Sequence, residues 1–330
     1  MKKYNVAVVG ATGLVGQTFL RVLAEYDFPI NELRLLASEK SEGKKVMYRG
    51  EEYTVHTLTK DSFHGIDIAL FSAGAGVSKE FSPIAEASGA VVIDNSSAFR
   101  EDPTRGLVVP EVNFEDVKIS NLIANPNCST IQSILPLKAL DDKYGLTRVF
   151  YSTYQACSGA GMKGRNDLIN TRNGEKPAHF PYNISETCIP EIDVFFDNGY
   201  SKEEMKMVNE TRKMLHKPDL NVSATCVRVP VLNSHGVSIM CELEKEFDLD
   251  EVRQVLSNFE GIKVLDDPKN HIYPVSTIAN DTDTVYVGRI RRDLGSKNGL
   301  LLWVVADNIR KGAASNAVQI ALKMIKNNLI

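Results

Sequence analysis

Cysteine is scarce in this sequence, and its spacing excludes two common cysteine-based architectures. Five cysteines are spread over 330 residues without a C-x-x-C pair; they are Cys128, Cys157, Cys188, Cys226 and Cys241. An odd number at such spacing argues against a disulfide framework and against a zinc knuckle, so we expect no metal site. In a reducing compartment most such thiols are small buried residues. A reactive cysteine therefore requires further evidence.

Long apolar runs and blocks of like charge are absent as well. The longest purely apolar run near the C-terminus, Leu300 to Ala306, is far too short to span a bilayer. The apolar stretch after Met1-Lys2-Lys3 runs into Gly10 without a small-residue cleavage site, so a strand is a better interpretation than a signal peptide. The net charge of −4 and the scattered basic residues argue against nucleic-acid binding. We expect a cytoplasmic protein with no membrane or nucleic-acid partner.

What is present is the composition of a folded protein of more than one domain. Hydrophobic residues make up 43% of the chain and charged residues 24%, a balance typical of globular proteins. A length of 330 residues exceeds the usual size of a single hydrophobic core. We therefore expect two domains.

The first part of the chain alternates short apolar runs with helical spacing. Tyr4 to Val9 is nearly all apolar, as in a strand buried on both faces of a parallel sheet, and Leu14 to Tyr26 has helical spacing. The apolar pattern recurs at Leu33 to Ala37, Ile66 to Phe71, Ala90 to Asp94 and Asn121 to Ala124. Strands separated by helical or turn-rich sequence predict an α/β, Rossmann-like doubly wound domain.

Beyond Cys128 the strands become longer and alternate. They are predicted at Arg148 to Gln155, Asn221 to Pro230, Val237 to Glu244, Thr284 to Arg292 and Gly299 to Val305. With helices at Ser201 to Leu215 and Leu249 to Phe259, they predict a second, α+β domain with a mixed, largely antiparallel sheet. Pro177 to Gly199 is predicted to be an ordered loop, and Asn308 to Leu329 to be helical. We place the domain limits at 1–127 with 307–330, and at 128–306.

A glycine-rich turn joins the first predicted strand to the first helix. Its sequence, Gly10-Ala11-Thr12-Gly13-Leu14-Val15-Gly16, is a G-x-x-G-x-x-G variant. Glycines let the backbone approach a pyrophosphate closely, and the helix N-terminus supplies N–H donors. We therefore predict a dinucleotide site that includes Gly10, Thr12, Gly13, Leu14 and Val15. The alternative is an ordinary α/β turn that binds no phosphate.

The end of the second predicted strand favours NADP over NAD. An NAD site usually has an acidic residue there, which binds the ribose hydroxyl. Here the strand is followed by Ser38-Glu39-Lys40-Ser41, whose Ser38, Lys40 and Ser41 offer hydroxyls and an ammonium to a phosphate. Glu39 is a nearby charge of the opposing sign.

Cys128 is distinguished from the other cysteines by its position. Asn125-Pro126-Asn127 ends a strand, and helical spacing follows from Cys128 to Leu140. A helix N-terminus favours the thiolate, which is the nucleophilic form of cysteine. Asn127 can donate to an anion at the same place. The alternative is a small buried residue at the start of a core helix.

Several segments, in order along the chain, resemble the aspartate-semialdehyde dehydrogenase family. The segments are Gly10-Ala11-Thr12-Gly13, Asp94 to Arg100, Pro126-Asn127-Cys128-Ser129-Thr130, Tyr154 to Gly161, Arg228-Val229-Pro230-Val231 with His235, Asp307-Asn308 and Lys311 to Ala314. The resemblance runs through nearly the whole chain. It implies an NADP-binding first domain, a catalytic and dimerisation domain, and a homodimer or a higher homo-oligomer.

The resemblance also implies a role for individual residues. Cys128 attacks the carbonyl, His235 is the general acid/base, and Gln155 orients the acyl-enzyme. Arg228 binds the substrate α-carboxylate and Glu203 its amine, while Arg100, Lys206 and Asn127 bind phosphate. The cofactor site is expected to include Ser72, Ser158, Gly159 and Asn308 as well. Taken without the resemblance, Arg228 is an ordinary salt-bridge arginine, and Glu203 and Lys206 form a solvated ion pair with adjacent Glu204 as a competitor.

The implied reaction is the NADPH-dependent reduction of β-aspartyl phosphate to aspartate β-semialdehyde with release of inorganic phosphate, through a thioester on Cys128. It belongs to the biosynthesis of lysine, threonine, methionine and diaminopimelate. The nearest alternative is N-acetyl-γ-glutamyl-phosphate reductase, whose cysteine follows Pro-Gly rather than Pro-Asn. A glyceraldehyde-3-phosphate dehydrogenase fits less well, and a non-catalytic nucleotide-binding regulator would not require Cys128, Gln155 and His235 together.

Overall fold

The computed structural model describes residues 2–330, which divide into two compact units. One unit ends at Pro126 and includes Ala313–Ile330, and the other is Asn127–Gly312. The sequence-based limits put Asn127 and residues 307–312 with the first domain. In the structure they lie in the second unit, because the Asn308 side chain bonds there to Ser158 and to the backbone of Ser234.

The first unit is built on a twisted, mainly parallel sheet. Its strands are β1 (Tyr4–Val9), β2 (Ile30–Ala37), β3 (Lys45–Tyr48), β4 (Glu51–Thr57), β5 (Ile68–Phe71), β6 (Val91–Asp94) and β7 (Leu122–Ala124). Their order across the sheet is β3-β4-β2-β1-β5-β6-β7. Neighbouring strands are parallel except β3 and β4, which are antiparallel. This is the predicted doubly wound arrangement.

Helices cover both faces of this sheet, which is why its central strands are almost entirely apolar. They are α1 (Leu14–Glu25), α2 (Ala75–Ala87), α3 (Pro110–Asn113) and the C-terminal helix Ser315–Lys326, with short 3₁₀ turns at Glu39–Ser41, Lys60–Phe63 and Phe114–Lys118. One apolar core joins α1 and the C-terminal helix to the sheet, and another lies on the side of α2. Burial on both faces excludes polar residues from β5 and most of β6.

The second unit contains a mixed sheet of six strands. Its strands are β8 (Leu146–Gln155), β9 (Asn221–Arg228), β10 (His235–Leu243), β11 (Ile262–Val264), β12 (Val285–Arg292) and β13 (Gly299–Ala306), in the order β11-β12-β13-β10-β8-β9. β8 pairs with β9, and β11 with β12, in parallel; the other pairs are antiparallel. The predicted mixed, largely antiparallel sheet is therefore confirmed.

The helices of this unit are α4 (Cys128–Tyr144), α5 (Gly161–Arg172), α6 (Lys202–Met214), α7 (Leu249–Ser257) and α8 (Ser276–Ala279), with 3₁₀ turns at Cys157–Ala160 and Pro268–Asn270. Alternate residues of β8, among them Tyr151 and Gln155, are buried on the face that meets α4 and α6, where the Tyr151 hydroxyl bonds to Thr211 at 2.8 Å. The other face exposes Phe150 and Tyr154.

The predicted C-terminal helix is shorter than expected. The prediction began it at Asn308, whereas a π-helical turn occupies Arg310–Ala314 and the α-helix begins at Ser315. Asp307 caps this π-helical turn, because its carboxylate accepts from the backbone N–H groups of Ile309 and Arg310. The Gly312 N–H then bonds to the carbonyl oxygen of Asp307, five residues back, which is the π-helical pattern. None of the helices within residues 2–330 is long and apolar enough to cross a membrane.

Candidate active site

Three of the predicted catalytic and substrate-binding residues meet at one edge of the second sheet because of strand direction. β8 and β9 are parallel, and their last residues, Gln155 and Arg228, are register partners. β10 runs antiparallel to β8 and begins at His235, next to the Gly236–Tyr154 pair. The ends of β8 and β9 and the start of β10 therefore bring these side chains together.

Cys128 lies at the same edge, as the first residue of α4. Its Sγ is 3.2 Å from Nε2 of His235. Gln132, one turn along α4, donates from Nε2 to the carbonyl oxygen of His235 at 3.0 Å and so ties the start of β10 to the helix. The backbone N–H groups in the first turn of α4 point towards the N-terminal end of the helix, where Cys128 lies. They favour a negative charge at that end.

His235 is fully buried, and hydrogen bonds to polar side chains fix the residue before it. The residue before it, Ser234, has a φ of +70°, an unfavourable conformation for a residue with a side chain. Ser234 is held there because its N–H donates to Asn308 and its hydroxyl to Asn280. Burial, together with the positive charge of Arg228, lowers the pKa of His235 to about 3, against the opposing influence of Glu203. The imidazole is therefore neutral near pH 7.

Glu203 is a buried carboxylate at the centre of a hydrogen-bond network. One of its oxygens accepts from the amide groups of Asn127 and Gln155 at 2.8 and 3.0 Å, and the other accepts from Lys206 at 2.9 Å. Burial alone would raise the pKa of Glu203, but the Lys206 ammonium and these hydrogen bonds lower it to about 2. Lys206 also pairs with Asp193. The predicted solvated ion pair is thus a largely buried one, and Glu204 instead caps α6 by bonding to Ser201.

Arg228 is buried with its guanidinium beside His235. Its Nη1 donates to the carbonyl oxygen of Ala156 at 2.7 Å, and its guanidinium lies 5.9 Å from the centre of the Phe180 ring. A Cβ at Gly159 would be 2.7 Å from this Nη1 and 3.2 Å from the His235 ring. A glycine is therefore needed at position 159 to keep space open over the arginine and the imidazole.

Asn127 caps α4, and a residue that the sequence did not single out holds Asn127 in place. The Asn127 side-chain oxygen accepts from the N–H groups of Ser129 and Thr130, while its own backbone N–H donates to the carboxylate of buried Glu210 at 2.7 Å. Glu210 lies seven residues after Glu203, on the same face of α6. The only sequence signal was this spacing, which also fits a solvated helix face.

Replacing Glu210 by leucine is expected to lower the free energy of unfolding by about 1–3 kcal/mol, because the N–H of Asn127 loses its acceptor in a buried place. Replacing it by glutamine keeps an oxygen acceptor and should cost less. Urea unfolding measures the stability, and the rate of alkylation of Cys128 reports whether the start of α4 has moved. Equal stability of the two variants would show that this hydrogen bond does not matter.

Arg100, predicted to bind phosphate, lies in the first unit and is held by backbone carbonyls. Its Nε donates to Asn125 and its Nη2 to Asn95, both at 2.9 Å. The Asn125 side chain is itself buried and bonds to Asn95 and to Asn316 of the C-terminal helix. The guanidinium is therefore oriented by a turn that the C-terminal helix helps to fix.

The predicted dinucleotide residues of the first unit gather at the carboxyl ends of β1, β2 and β5. Gly10 follows β1 with a φ of +83°, and a Cβ there would be 2.9–3.0 Å from Ser72, the residue after β5. Gly13 precedes α1, which Leu14 and Val15 begin and which has no acidic residue in its first turn. The turn, without side chains at its glycines and with a helix N-terminus behind it, fits a pyrophosphate.

Alanine at Gly16 is expected to destabilise the first unit by about 3 kcal/mol and to abolish dinucleotide binding. A Cβ at Gly16 would be 2.1 Å from the backbone oxygen of Gly10, whereas one at Gly13 would be 3.3 Å from the same atom. Since a backbone atom cannot swing away, Gly13→Ala is the milder control. Thermal unfolding and titration with NADP measure both effects; a Gly16→Ala protein as stable and as tightly binding as Gly13→Ala would contradict this role of Gly16.

The residues predicted to select NADP surround the turn that follows β2. Ser38 and Lys40 are exposed, whereas Ser41 is buried. The Ser41 hydroxyl lies 3.4 Å from the hydroxyl of Thr12 and 3.4 Å from Nζ of Lys44. Lys44 adds a second ammonium that the sequence pattern did not identify. The remaining predicted cofactor residues, Ser158, Gly159 and Asn308, belong to the second unit, where Ser158 and Asn308 bond to each other at 3.0 Å. In residues 2–330 no cluster of His, Cys, Asp and Glu could hold a metal ion.

Comparison with known proteins gives full-length matches. Residues 5–120 match the model of the semialdehyde dehydrogenase NAD binding domain, and residues 137–311 that of the semialdehyde dehydrogenase dimerisation domain. The chain is 55% identical over 338 residues to aspartate-semialdehyde dehydrogenase of Aquifex aeolicus, covering 99% of each protein. A crystal structure of aspartate semialdehyde dehydrogenase II from Vibrio cholerae, complexed with ASA, has a TM-score of 0.94 at 45% identity and 99% coverage of each chain. The enzyme from Candida albicans with NADP has a TM-score of 0.81 at 25% identity, with full coverage of both chains.

Proposed function

Because the chain belongs to the aspartate-semialdehyde dehydrogenase family, we propose that it reduces β-aspartyl phosphate to L-aspartate β-semialdehyde with NADPH and releases inorganic phosphate. It is an oxidoreductase, and its place is in the biosynthesis of amino acids derived from aspartate. The observation that carries the proposal is the 3.2 Å approach of Cys128 Sγ to His235 at the N-terminus of α4.

The chemistry proposed for Cys128 is nucleophilic. The thiolate attacks the acyl carbon of aspartyl phosphate, a C–S bond forms, and phosphate leaves with the electrons of the C–O bond. When bound, NADPH supplies the hydride that reduces the resulting thioester. The C–S bond then breaks, its electrons return to sulfur, and the aldehyde is released. Forming the thioester first provides a more reactive acceptor than a carboxylate.

The substrate is proposed to lie between the charges of opposite sign in the second unit. Arg228, whose planar guanidinium suits a carboxylate, binds the α-carboxylate, and Glu203, ionised at neutral pH, binds the α-amine. Gln155, which bonds to Glu203 and accepts from Thr153, orients the acyl-enzyme. Lys206, Asn127 and Arg100 bind the phosphate. The buried charges of Glu203 and Arg228 support a zwitterionic substrate over an N-acylated one.

A comparison of two aldehydes tests this function. In the reverse direction, phosphate-dependent reduction of NADP should proceed with aspartate semialdehyde and at least about 100-fold less efficiently with N-acetylglutamate semialdehyde, because the acylated nitrogen cannot pair with Glu203. Equal or greater turnover of the acetylated aldehyde would identify the enzyme as N-acetyl-γ-glutamyl-phosphate reductase. Absence of turnover with both would favour a regulator.

NADP is the proposed cofactor in preference to NAD. The preference is supported by the hydroxyls of Ser38 and Ser41 and the ammonium groups of Lys40 and Lys44 around one turn. The double variant Lys40→Gln/Lys44→Gln should raise KM for NADP about tenfold and leave KM for NAD unchanged, because only NADP carries the 2′-phosphate. Lys45, which bonds to Thr54, is the control position.

A homodimer, or a higher homo-oligomer built from it, is the proposed assembly. It is supported by the match to a dimerisation domain and by the aromatic side chains on the sheet face opposite α4 and α6. There Tyr154 and Trp303 pack edge to face beside a cavity of about 530 Å³. A charge on this face, as in Tyr154→Glu, should shift the sedimenting species towards the monomer.

A further inference from the structure

Lys206, the lysine proposed to bind phosphate, lies between two carboxylates. Its Nζ donates to Glu203 at 2.9 Å and to Asp193 at 3.1 Å. The two carboxylates use two of the three N–H donors of the ammonium and place two negative charges beside one positive charge. Burial by itself would lower the pKa of Lys206, but the charges and hydrogen bonds of Glu203 and Asp193 raise it. A phosphate group that approaches this ammonium therefore meets a surplus of negative charge.

The two carboxylates differ in how firmly they are held. The Glu203 side chain is only 7% exposed and also accepts from the amide groups of Asn127 and Gln155. The Asp193 side chain is 32% exposed, and its other oxygen accepts from the neighbouring N–H of Val194 at 2.9 Å. Moving Glu203 would leave buried amides without an acceptor, whereas moving Asp193 breaks one ion pair at a partly exposed place. Asp193 is therefore the carboxylate that can give way.

The chain around Asp193 permits such a movement. Ile192 before it is buried, and so is Ser201 at the start of α6, whereas residues 193–199 between them are exposed. A shift of the Asp193 side chain into water therefore leaves the core of the second unit unchanged. Asp193 has a φ of +69°, a backbone conformation that aspartate and asparagine adopt more readily than most other residues with a side chain.

We propose that Asp193 is a competing counter-ion at Lys206: it pairs with the ammonium when no phosphate is bound, gives way to the phosphate group of the substrate, and returns when inorganic phosphate leaves. The proposal rests on the proposed function, in which Lys206 binds phosphate. Asp193 thereby weakens phosphate binding and shortens the time for which released phosphate stays in the site. Glu203, which is proposed to bind the substrate amine, keeps its place throughout.

The exchange limits the repulsion around Lys206 in each state of the reaction. With phosphate bound and Asp193 still in place, three anionic groups would surround one ammonium, and like charges a few ångströms apart repel each other. Turning Asp193 towards water removes one of them. Because the chain keeps the carboxylate close by, its effective concentration at Lys206 is high, and it pairs with the ammonium again as soon as phosphate dissociates.

A ³¹P NMR titration of the full-length protein with inorganic phosphate tests the competition. Asparagine at position 193 removes the charge, keeps an acceptor for the N–H of Val194 and tolerates the same φ. We expect Asp193→Asn to bind phosphate about fivefold more tightly than the wild type, as for release of a partly exposed ion pair. Unchanged or weaker binding, or no binding by either protein, would overturn the proposal. Because the titration needs no turnover, its result is independent of whether aspartate semialdehyde is a substrate.

Two further proteins separate competition from general repulsion. Asp197→Asn is the matched control, because it removes an equal charge from the same exposed segment; it should change the Kd for phosphate less than about twofold. In Lys206→Gln the change Asp193→Asn should also have less than about a twofold effect, since competition requires the ammonium. A tightening in either protein as large as that in the wild type would show that the carboxylate only repels phosphate, and would overturn the competition.

Steady-state kinetics tests the effect on phosphate release. In the phosphate-dependent direction, Asp193→Asn should lower KM for phosphate about fivefold and leave KM for NADP unchanged. In the direction of aspartyl phosphate reduction, inorganic phosphate should inhibit the variant at about fivefold lower concentration. A variant that phosphate inhibits no more strongly than the wild type would overturn the role of Asp193 in phosphate release.

Discussion

Replacing Cys128 by serine is expected to lower kcat for aspartate semialdehyde by about 10⁴-fold or more. A serine hydroxyl keeps its proton at neutral pH, so the helix N-terminus no longer faces an anion that can attack carbon. KM should change little, because Arg228 and Glu203, which we propose to bind the substrate, remain in place. Steady-state kinetics in the phosphate-dependent direction measures both constants.

Cys188 provides the matched control for this substitution. It is an exposed cysteine in the loop between α5 and α6, and serine there should leave kcat within about twofold, as for other surface changes. A Cys128→Ser enzyme that retains more than about one hundredth of wild-type kcat would argue against an obligatory thioester, because loss of a catalytic nucleophile ordinarily costs far more.

Replacing Arg228 by leucine should lower kcat/KM about 10³-fold, mainly through KM. Truncating one partner of a buried, hydrogen-bonded charge pair costs about 4 kcal/mol, which corresponds to this factor. The substrate α-carboxylate would meet an apolar side chain in a place closed to water. KM for NADP should not change, because the first unit contains the residues proposed to bind its phosphates.

Lysine at position 228 separates charge from geometry. It keeps a positive charge but cannot offer two parallel donors, so we expect a loss between those of the wild type and the leucine variant. Thermal unfolding shows whether loss of the bond to Ala156 has damaged the fold. A leucine variant that is stable and has wild-type KM for aspartate semialdehyde would mean that another residue binds the carboxylate.

The sequence predicts best those parts of the fold in which a single physical requirement, such as burial on both faces of a strand, decides the residue type. β1 and β5 are buried on both faces, and only apolar residues satisfy that requirement. β3 and β4, at the edge of the sheet, were missed because polar residues such as Glu51 and Glu52 occupy exposed positions there. α5 was missed because Leu168 is its only large apolar residue that is buried.

The candidate site was predictable where residue type carries the chemistry. Cys128 could be placed at a helix start from Asn-Pro-Asn before it and helical spacing after it. His235 and Arg228 were identified by resemblance, and the geometry of β8, β9 and β10 gives the physical reason for their approach. Whether they perform the roles assigned to them stays a prediction.

Two features of the site had no usable sequence signal. Glu210 bonds to Asn127 at the start of α4, although the two residues are 83 positions apart in the sequence. A glutamate on an amphipathic helix usually faces water. The N–H of Ala156, which donates to Nδ1 of His235 at 2.9 Å, is a backbone group, which every residue except proline possesses. Its importance depends entirely on what the fold places against it.

The proposed thioester on Cys128 can be tested most directly by trapping it. The enzyme is incubated with β-aspartyl phosphate in the absence of NADPH, quenched with acid, digested and analysed by mass spectrometry, with the released phosphate counted in parallel. We expect one aspartyl group on the peptide that contains Cys128 and one phosphate released for each active site, and neither in Cys128→Ser. Release of phosphate with no aspartyl group on Cys128, or with the group on another residue, would contradict the mechanism.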